Sequence, residues 1–344
     1  MGPIQLGLTA ATLLDLMQAA GSLAEGMSAR VALRPEDTHD AIGQWCVATG
    51  NSVSASGPGW AVIRRGRRVR AGPEHARPVS ARVWIYTNFD CNLKCDYCCV
   101  RSAPGIATRE LGLERIETIA SEAAGLGVSE IFMTGGEPFL LPYIDRAAIA
   151  CAAAAQTTLL TNGMLFRGKR KNALEAMPRE GFALQISLDS AQPERHDRHR
   201  GEDSWRRAIE GIHIAQDLGF RVRVASTIGV DGGNEMEQKN EMEQEKEMHK
   251  LCDELGVSPE DRIIRRLAKR GRAVKGIVLT TEGLVPEVTY TDRGVFWHPV
   301  GADDPDMMVA DRVVPLPDAI ARVRRLREMQ MEHEADAASE FTCA

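Results

Sequence analysis

Apolar and polar positions follow two different grammars along the chain. Up to about residue 66 the pattern predicts a compact α+β unit: a helix from Thr9 to Ala24, a strand from Ala29 to Arg34, a helix from Asp37 to Thr49, then a hairpin. The hairpin arms, Asn51–Ala55 and Trp60–Arg64, are joined by Gly57-Pro58-Gly59, whose residue types favour a reversal of the chain. Residues 67–80 carry no apolar rhythm and predict a linker.

From Arg82 the grammar becomes strand, loop, helix, repeated. The runs Arg82–Thr87, Glu130–Met133, Thr157–Leu160, Ala183–Leu188, Arg221–Thr227 and Arg262–Arg266 predict six strands with helical segments between them. Strands spaced by helices are parallel βαβ units, and right-handed crossovers curl six of them into a partial (β/α)6 barrel, here spanning 81–275. Chemistry in such barrels collects at the C-terminal strand ends. Residues 276–344 predict a cap: a hairpin of Glu287–Thr291 and Val295–His298 about Asp292-Arg293-Gly294, followed by a helix from Pro317 to about Glu334. The tandem NEMEQ of Asn234–Gln238 and Asn240–Gln244 predicts a solvated helix. The fold class is α/β, with the small α+β unit (1–66) ahead of the barrel.

Composition narrows the function classes. A length of 344 residues and 44% hydrophobic content fill one large domain and one small one. A net charge of −6 provides no general attraction to nucleic acid or anionic lipid. The local run Arg64, Arg65, Arg67, Arg68, Arg70 predicts a solvated strand end and linker. The N-terminus has no basic leader, and Ala147–Ala155 is too short for a membrane span, so a cytoplasmic protein without membrane or nucleic-acid partners is expected. Eight cysteines, three of them in one short loop, fit reduced thiols and metal ligation better than a disulfide framework.

That loop is Cys91-Asn-Leu-Lys-Cys95-Asp-Tyr-Cys98, directly after the first barrel strand. Three thiolates can hold three irons of a [4Fe–4S] cube and leave the fourth open to chelate the amino and carboxylate groups of a ligand. Zinc is the competing occupant, but it favours four ligands paired as CxxC units, and no second pair occurs. Cys99 follows and is expected to point elsewhere. After the second strand comes Thr134-Gly135-Gly136-Glu137-Pro138, where two glycines permit close backbone approach and a carboxylate can receive an ammonium group.

The C-x3-C-x2-C spacing, with an aromatic residue (Tyr97) before the third cysteine, resembles the signature of the radical S-adenosylmethionine (SAM) superfamily, and Gly135-Gly136-Glu137-Pro138 resembles its GGEP motif, which binds the methionine amino group of SAM. The resemblance covers about residues 82–270. Ser187-Leu188-Asp189 resembles the site after strand four that meets the SAM ribose or carboxylate, and the segment His196 to Gly201 resembles the one that follows it in the SPASM-type group, with Arg200 set to pair with the SAM carboxylate. Thr161-Asn162-Gly163 closes strand three at the same rim, and Ile228-Gly229 and Leu267-Ala268 stand where adenine contacts are expected. The resemblance implies one [4Fe–4S] cluster on Cys91, Cys95 and Cys98, reductive cleavage of SAM to a 5′-deoxyadenosyl radical, and hydrogen abstraction from a substrate. It also implies an electron donor such as flavodoxin or ferredoxin. The substrate class it favours is a peptide or protein side chain, or a cofactor or tetrapyrrole precursor.

Two departures limit it. Phe296-Trp297-His298-Pro299 stands in the tail hairpin where SPASM-type proteins place a cysteine, and downstream only Cys252 and Cys343 remain, so the tail is expected to hold no second cluster. Residues 4–66 resemble the small TusA/SirA-like sulfur carriers in element order and in Asp40 to Gly50. The carrier Cys-Pro pair, however, is replaced by Gly7-Leu8-Thr9-Ala10-Ala11, and Cys46 is expected in the core. The alternatives are a sulfur-insertion enzyme and, outside enzymes, an iron–sulfur sensing protein with a vestigial SAM site.

Overall fold

A computed structural model describes residues 9–23, 27–48, 51–65, 77–229, 235–277, 279 and 284–332. They form two compact units, one mainly of residues up to Arg77 and the other mainly of residues from Pro78 to Glu328. Gly7, Leu8, Ala24, Thr49, Gly50, Arg67, Arg68, Arg70, Asn234, Glu334 and Cys343, named above, lie outside the described residues.

In the first unit, α1 (Ala10–Ser22), β1 (Ser28–Ala32), α2 (His39–Ala48), β2 (Ser52–Gly57) and β3 (Trp60–Arg64) follow the predicted order. The sheet is antiparallel with β3 in the middle. Its core joins Leu16 and Ala20 of α1, Val31, Ala61 and Ile63 of the sheet, and Ile42, Trp45 and Cys46 of α2. Asp37 organises the start: its two carboxylate oxygens accept from Thr9 N at 2.6 Å, the Thr12 hydroxyl at 2.5 Å and Arg34 N at 2.6 Å. Arg65, expected in solvent, is buried at the strand end, where its backbone N–H donates to Met27 O at 2.7 Å.

The second unit contains β4 (Arg82–Tyr86), α3 (Leu113–Gly125), β5 (Glu130–Thr134), α4 (Ile144–Ala154), β6 (Gln156–Thr161), α5 (Lys169–Ala176), β7 (Phe182–Ser187), α6 (Pro193–Arg200), α7 (Ser204–Asp217), β8 (Arg221–Ile228), α8 (Glu235–Glu254) and β9 (Arg262–Arg266). Strands β4 to β9 are all parallel and lie side by side in sequence order, as the strand–helix alternation requires. Near-continuous apolar runs suit strands covered on both faces: in β7 all positions but the last are buried. Helix α3 buries Ile116, Ile119, Ala120 and Ala123, the i, i+3, i+4, i+7 stripe of one face.

The tail does more than cap. β10 (Val288–Thr291) pairs in parallel with β4, and β11 (Gly294–Phe296) and β12 (Met308–Ala310) continue antiparallel beyond it, so the hairpin lengthens the barrel sheet to nine strands. Arg109 anchors this extension, with Nη2 at 2.9 Å from Asp292 and Nη1 at 2.9 Å from Asp303, its guanidinium lying 3.8 Å over the Phe89 ring. A last helix, α9 (Leu316–Glu332), ends the described chain.

The N-terminal strand ends carry charges that pair among themselves. Arg82 pairs with Glu130 and Glu287, Trp84 donates to Glu287 at 2.5 Å, and Trp84 stacks on Phe132 at 4.4 Å. These ion pairs and rings fill that end of the interior, and the open space lies toward the C-terminal ends. No helix among the described residues is long and apolar enough to cross a membrane.

Candidate active site

A cavity of about 210 Å³ lies at the C-terminal strand ends, bounded by the turns after β4, β5, β6 and β7 and the ends of β8 and β9. The cysteine loop leaves β4 by pairing with the turn after β5: Thr87 N donates to Thr134 O at 2.8 Å, Gly136 N to Asn88 O at 3.0 Å and Glu137 N to Asp90 O at 2.8 Å. The Asn88 side chain locks the same contact by donating to Asp90 O and Glu137 O. Two glycines stand here because nothing larger fits. A Cβ at position 136 would lie 2.0 Å from Asp90 O and 2.6 Å from Asp90 C, and Gly135 has φ of 153° with Asn88 O 2.5 Å from its missing Cβ. The Gly135-Gly136 pair therefore docks the cysteine loop as well as facing the cavity. Gly136→Ala is expected to push that loop off its seat and lower iron incorporation at least several-fold, as read by iron analysis of anaerobically reconstituted protein.

Cys91, Cys95 and Cys98 all line the cavity, with Leu93 and Met164 packed against Cys91. Burial pushes the Cys91 thiol up to about 12, with the Glu137 charge adding to the effect. Burial likewise raises Cys95, against the opposing charge of Arg200. Thiols so placed stay protonated at neutral pH until a cation takes the proton's place, which bound iron does. Among the described residues no three His, Cys, Asp or Glu side chains stand close enough to hold a single ion. A cube presents its irons at separate corners and so calls for three thiolates along one wall rather than three converging on a point, and Cys91, Cys95 and Cys98 share this wall.

Glu137 was expected to face an ammonium group. Instead it is fully buried behind the wall: Oε1 accepts from Phe139 N at 3.0 Å and from the Thr161 hydroxyl at 2.8 Å, and Oε2 accepts from Asn162 N at 2.8 Å. Its carboxylate ties the turn after β5 to the turn after β6. Pro138, also buried, opens the short helical turn Pro138–Leu140 that Glu137 caps. Asn162 carries the chain of contacts on, its side-chain amide donating to Asn92 of the cysteine loop at 2.8 Å. Helix α7 comes close enough to fix this turn because position 211 is glycine: a Cβ there would lie 2.1 Å from Gly163 O.

Asp189 is the second buried acid, and it too stands behind the wall. Arg200 pairs with it at 2.5 Å, Thr227 N donates to Oδ1 at 2.9 Å, and the Tyr97 hydroxyl donates to Oδ2. Burial alone would raise this carboxyl, but the Arg200 charge and its hydrogen bonds outweigh that and hold it down at about 2. The His196 ring accepts from Asp189 N at 3.2 Å. Arg200, expected to meet a ligand carboxylate, thus has a carboxylate partner of its own while still lining the cavity.

Of the residues singled out from sequence, Tyr97, Gly135, Gly136, Thr161, Asn162, Ser187, Arg200 and the three cysteines line the cavity, whereas Glu137, Pro138 and Asp189 support it from behind. Leu267 and Ala268 line it; Ile228 is buried, and Gly229 faces an adjoining recess. Cys99, expected to point elsewhere, stands on the wall, because the chain turns tightly after Cys98. Ser102, Thr227, Arg265 and Arg266 line the cavity without having been anticipated. Arg272 clamps the cysteine loop through Arg272 N to Cys98 O at 3.0 Å and through its guanidinium to Ser102 O and Arg101 O, both at 2.6 Å. His298 is a packed residue: Nδ1 caps Val300 N at 3.2 Å, and burial with the nearby Arg270 charge lowers its pKa to about 3.

Residues 85–244 match the sequence model of the Radical SAM superfamily. Over 157 residues the chain is 32% identical to a GTP 3′,8-cyclase of Microcystis aeruginosa, covering 43% of this chain and 47% of that protein. Over 142 residues it is 33% identical to the antilisterial bacteriocin subtilosin biosynthesis protein AlbA of Bacillus subtilis, covering 40% of this chain and 31% of AlbA. The chain thus spans less than half the length of these relatives. The solved structure of polyhistidine-tagged anSMEcpe with bound AdoMet superposes with a TM-score of 0.53 at 12% identity, over 72% of this chain and 80% of that one, a likeness of fold.

Proposed function

We propose that this protein is a radical SAM enzyme that holds one [4Fe–4S] cluster through Cys91, Cys95 and Cys98 and binds SAM in the adjoining cavity. The observation that carries the reading is the joining of the three cysteines and the Gly135-Gly136 strip on one cavity wall at the C-terminal strand ends. Together, when bound, cluster and SAM supply a one-electron reductive cleavage and a carbon-centred oxidant for a substrate C–H bond.

The chain's own residues do the rest. Cys91, Cys95 and Cys98 hold iron, and the Gly135-Gly136 backbone faces the space next to them without side-chain bulk. Ser187 offers its hydroxyl along the same wall, beside Thr161 and Asn162, whose side chains are held by Glu137 and Asn92. The buried Asp189 keeps Arg200 and Tyr97 in place beside Cys95. Trp84, Tyr86 and Val300 add apolar surface to the cavity wall.

The substrate belongs to a peptide or protein side chain, or to a cofactor precursor; the 33% likeness to a bacteriocin biosynthesis protein and the 32% likeness to a GTP 3′,8-cyclase support these two classes. Flavodoxin or ferredoxin fits as electron donor, and a cytoplasmic location suits an oxygen-sensitive cluster. The first unit is a degenerate sulfur-carrier-like domain used for docking: Cys46 lies in its core, and burial pushes its thiol up to about 11, which argues against persulfide chemistry. Electron paramagnetic resonance tests the proposal. Dithionite-reduced protein should show a cluster signal whose g-values change when SAM is added, because SAM takes the open iron. A signal unaltered at saturating SAM would contradict it.

A further inference from the structure

The strap that follows β9 lies directly on the cysteine loop and presents a basic face to solvent. Arg272 N donates to Cys98 O at 3.0 Å, and its guanidinium reaches Ser102 O and Arg101 O, both at 2.6 Å. Position 271 has φ of 62°, and a Cβ there would lie 2.2 Å from Cys98 O and 2.4 Å from Cys99 O, so no side chain separates the two backbones. From Leu267 to Leu279 the sequence holds Lys269, Arg270, Arg272 and Lys275 and no acid, in a chain whose net charge is −6. Arg270 is paired with Asp304 at 2.5 Å. Arg272 meets only carbonyl oxygens, so no carboxylate neutralises it. Lys269 and Lys275, with Lys94 and Arg101 of the cysteine loop, are exposed and have no carboxylate partner among the described residues. The acid of the loop itself, Asp96, faces His199 at 2.8 Å. None of these four exposed cations lines the cavity. Between Arg272 and Lys275 stands Val274, 81% exposed, an apolar side chain that the protein's own packing leaves uncovered.

Resting on the function proposed above, we infer that this strap and the exposed side of the cysteine loop form the docking surface for an acidic one-electron carrier protein. The carrier gives up one electron and the cluster gains it; no bond forms or breaks in that step. Electron transfer weakens steeply with distance, and a protein seated on the strap is separated from Cys98 by little more than the strap's backbone. Exposed cations without partners steer an acidic protein and fix its orientation, contributing more to the encounter rate than to affinity. Val274 supplies an apolar contact inside the polar rim. A substrate has to enter the cavity, whereas a carrier has only to touch this loop, and that difference selects the carrier as occupant.

The test uses cluster-loaded protein, with reduced flavodoxin of net negative charge as the probe and dithionite as the small-molecule control. Stopped-flow absorbance follows reduction of the cluster. The parent's rate with flavodoxin should fall steeply between about 0.05 and about 0.5 M salt, as screening shortens the reach of exposed charges. Lys269→Glu combined with Lys275→Glu should slow the flavodoxin reaction about tenfold or more, and Val274→Ser several-fold. Lys171→Glu combined with Lys250→Glu, the same charge change placed on α5 and α8, should match the parent. Iron content and the extent of dithionite reduction at the parent's level show that each variant is folded and loaded. A strap reversal that takes electrons from flavodoxin at the parent's rate overturns this inference alone, and leaves the basic face to another acidic partner such as a substrate peptide. So does a parent that dithionite reduces and flavodoxin does not, or one whose flavodoxin rate ignores salt. A parent that holds no iron overturns the proposed function instead.

Discussion

Replacing Cys91, Cys95 and Cys98 together by alanine is expected to abolish iron binding: the parent, reconstituted without oxygen, should hold about four irons and four sulfides, one cube, and the variant essentially none. The size of the effect follows from the site. On the proposed reading the three thiols on the cavity wall are the iron ligands, and Leu93, which packs against Cys91, offers iron no substitute donor. Cys99 is next in sequence, but it is a single donor for a cluster that needs three. Iron and sulfide analysis with the visible absorption of the cluster reads the result. About eight irons in the parent would instead require a second cluster.

Asp189→Ala is expected to cost the fold about 3–5 kcal/mol, the usual consequence of removing one partner from a buried ion pair and leaving the other uncompensated. Arg200 would be that group: its side chain is 10% exposed and its carboxylate partner sits at 2.5 Å. The same change frees Thr227 N and the Tyr97 hydroxyl, both bound to Asp189. Asp189→Asn keeps an acceptor for Thr227 N while losing the charge, so its loss should be smaller. Urea unfolding followed by circular dichroism measures both variants, and equal midpoints for parent and Asp189→Ala would show that Arg200 finds other compensation.

The parts of this site readable from sequence are those whose residues are close in the chain. The C-x3-C-x2-C loop and the Gly-Gly-Glu-Pro turn each announce themselves, and the strand–helix alternation puts both at the same end of a parallel sheet. Direction was not readable. A carboxylate beside two glycines suggests an ammonium pocket, but whether Glu137 faces the cavity or the turn after β6 is decided by Thr161 and Asn162, which lie some way along the chain. Asp189, Arg200 and Tyr97 were each visible as candidates, but not their mutual pairing, which requires the turn after β7 to meet the cysteine loop.

What stayed hidden came from distant segments. The pairing of β10 with β4 joins Val288 to Val83, and no local rhythm specifies that register. Arg272 on the cysteine loop, Arg109 on the tail, and Ser102 and Arg265 on the cavity read as ordinary polar positions in sequence, and they acquire their roles only when the chain closes around the strand ends. The glycines tell a mixed story: their presence is legible, but part of their purpose, seating the loop at Asp90, follows from Asp90 O lying 2.0 Å from where a Cβ at position 136 would stand.

The most direct measurement of the central claim is reductive cleavage of SAM. Anaerobic protein reduced with dithionite and given SAM without substrate should accumulate 5′-deoxyadenosine slowly, as followed by liquid chromatography, and the Cys91, Cys95, Cys98 triple variant should form none. A parent that carries a fully reduced cluster and binds SAM, yet forms no 5′-deoxyadenosine even with candidate peptide or nucleotide substrates present, would contradict the account.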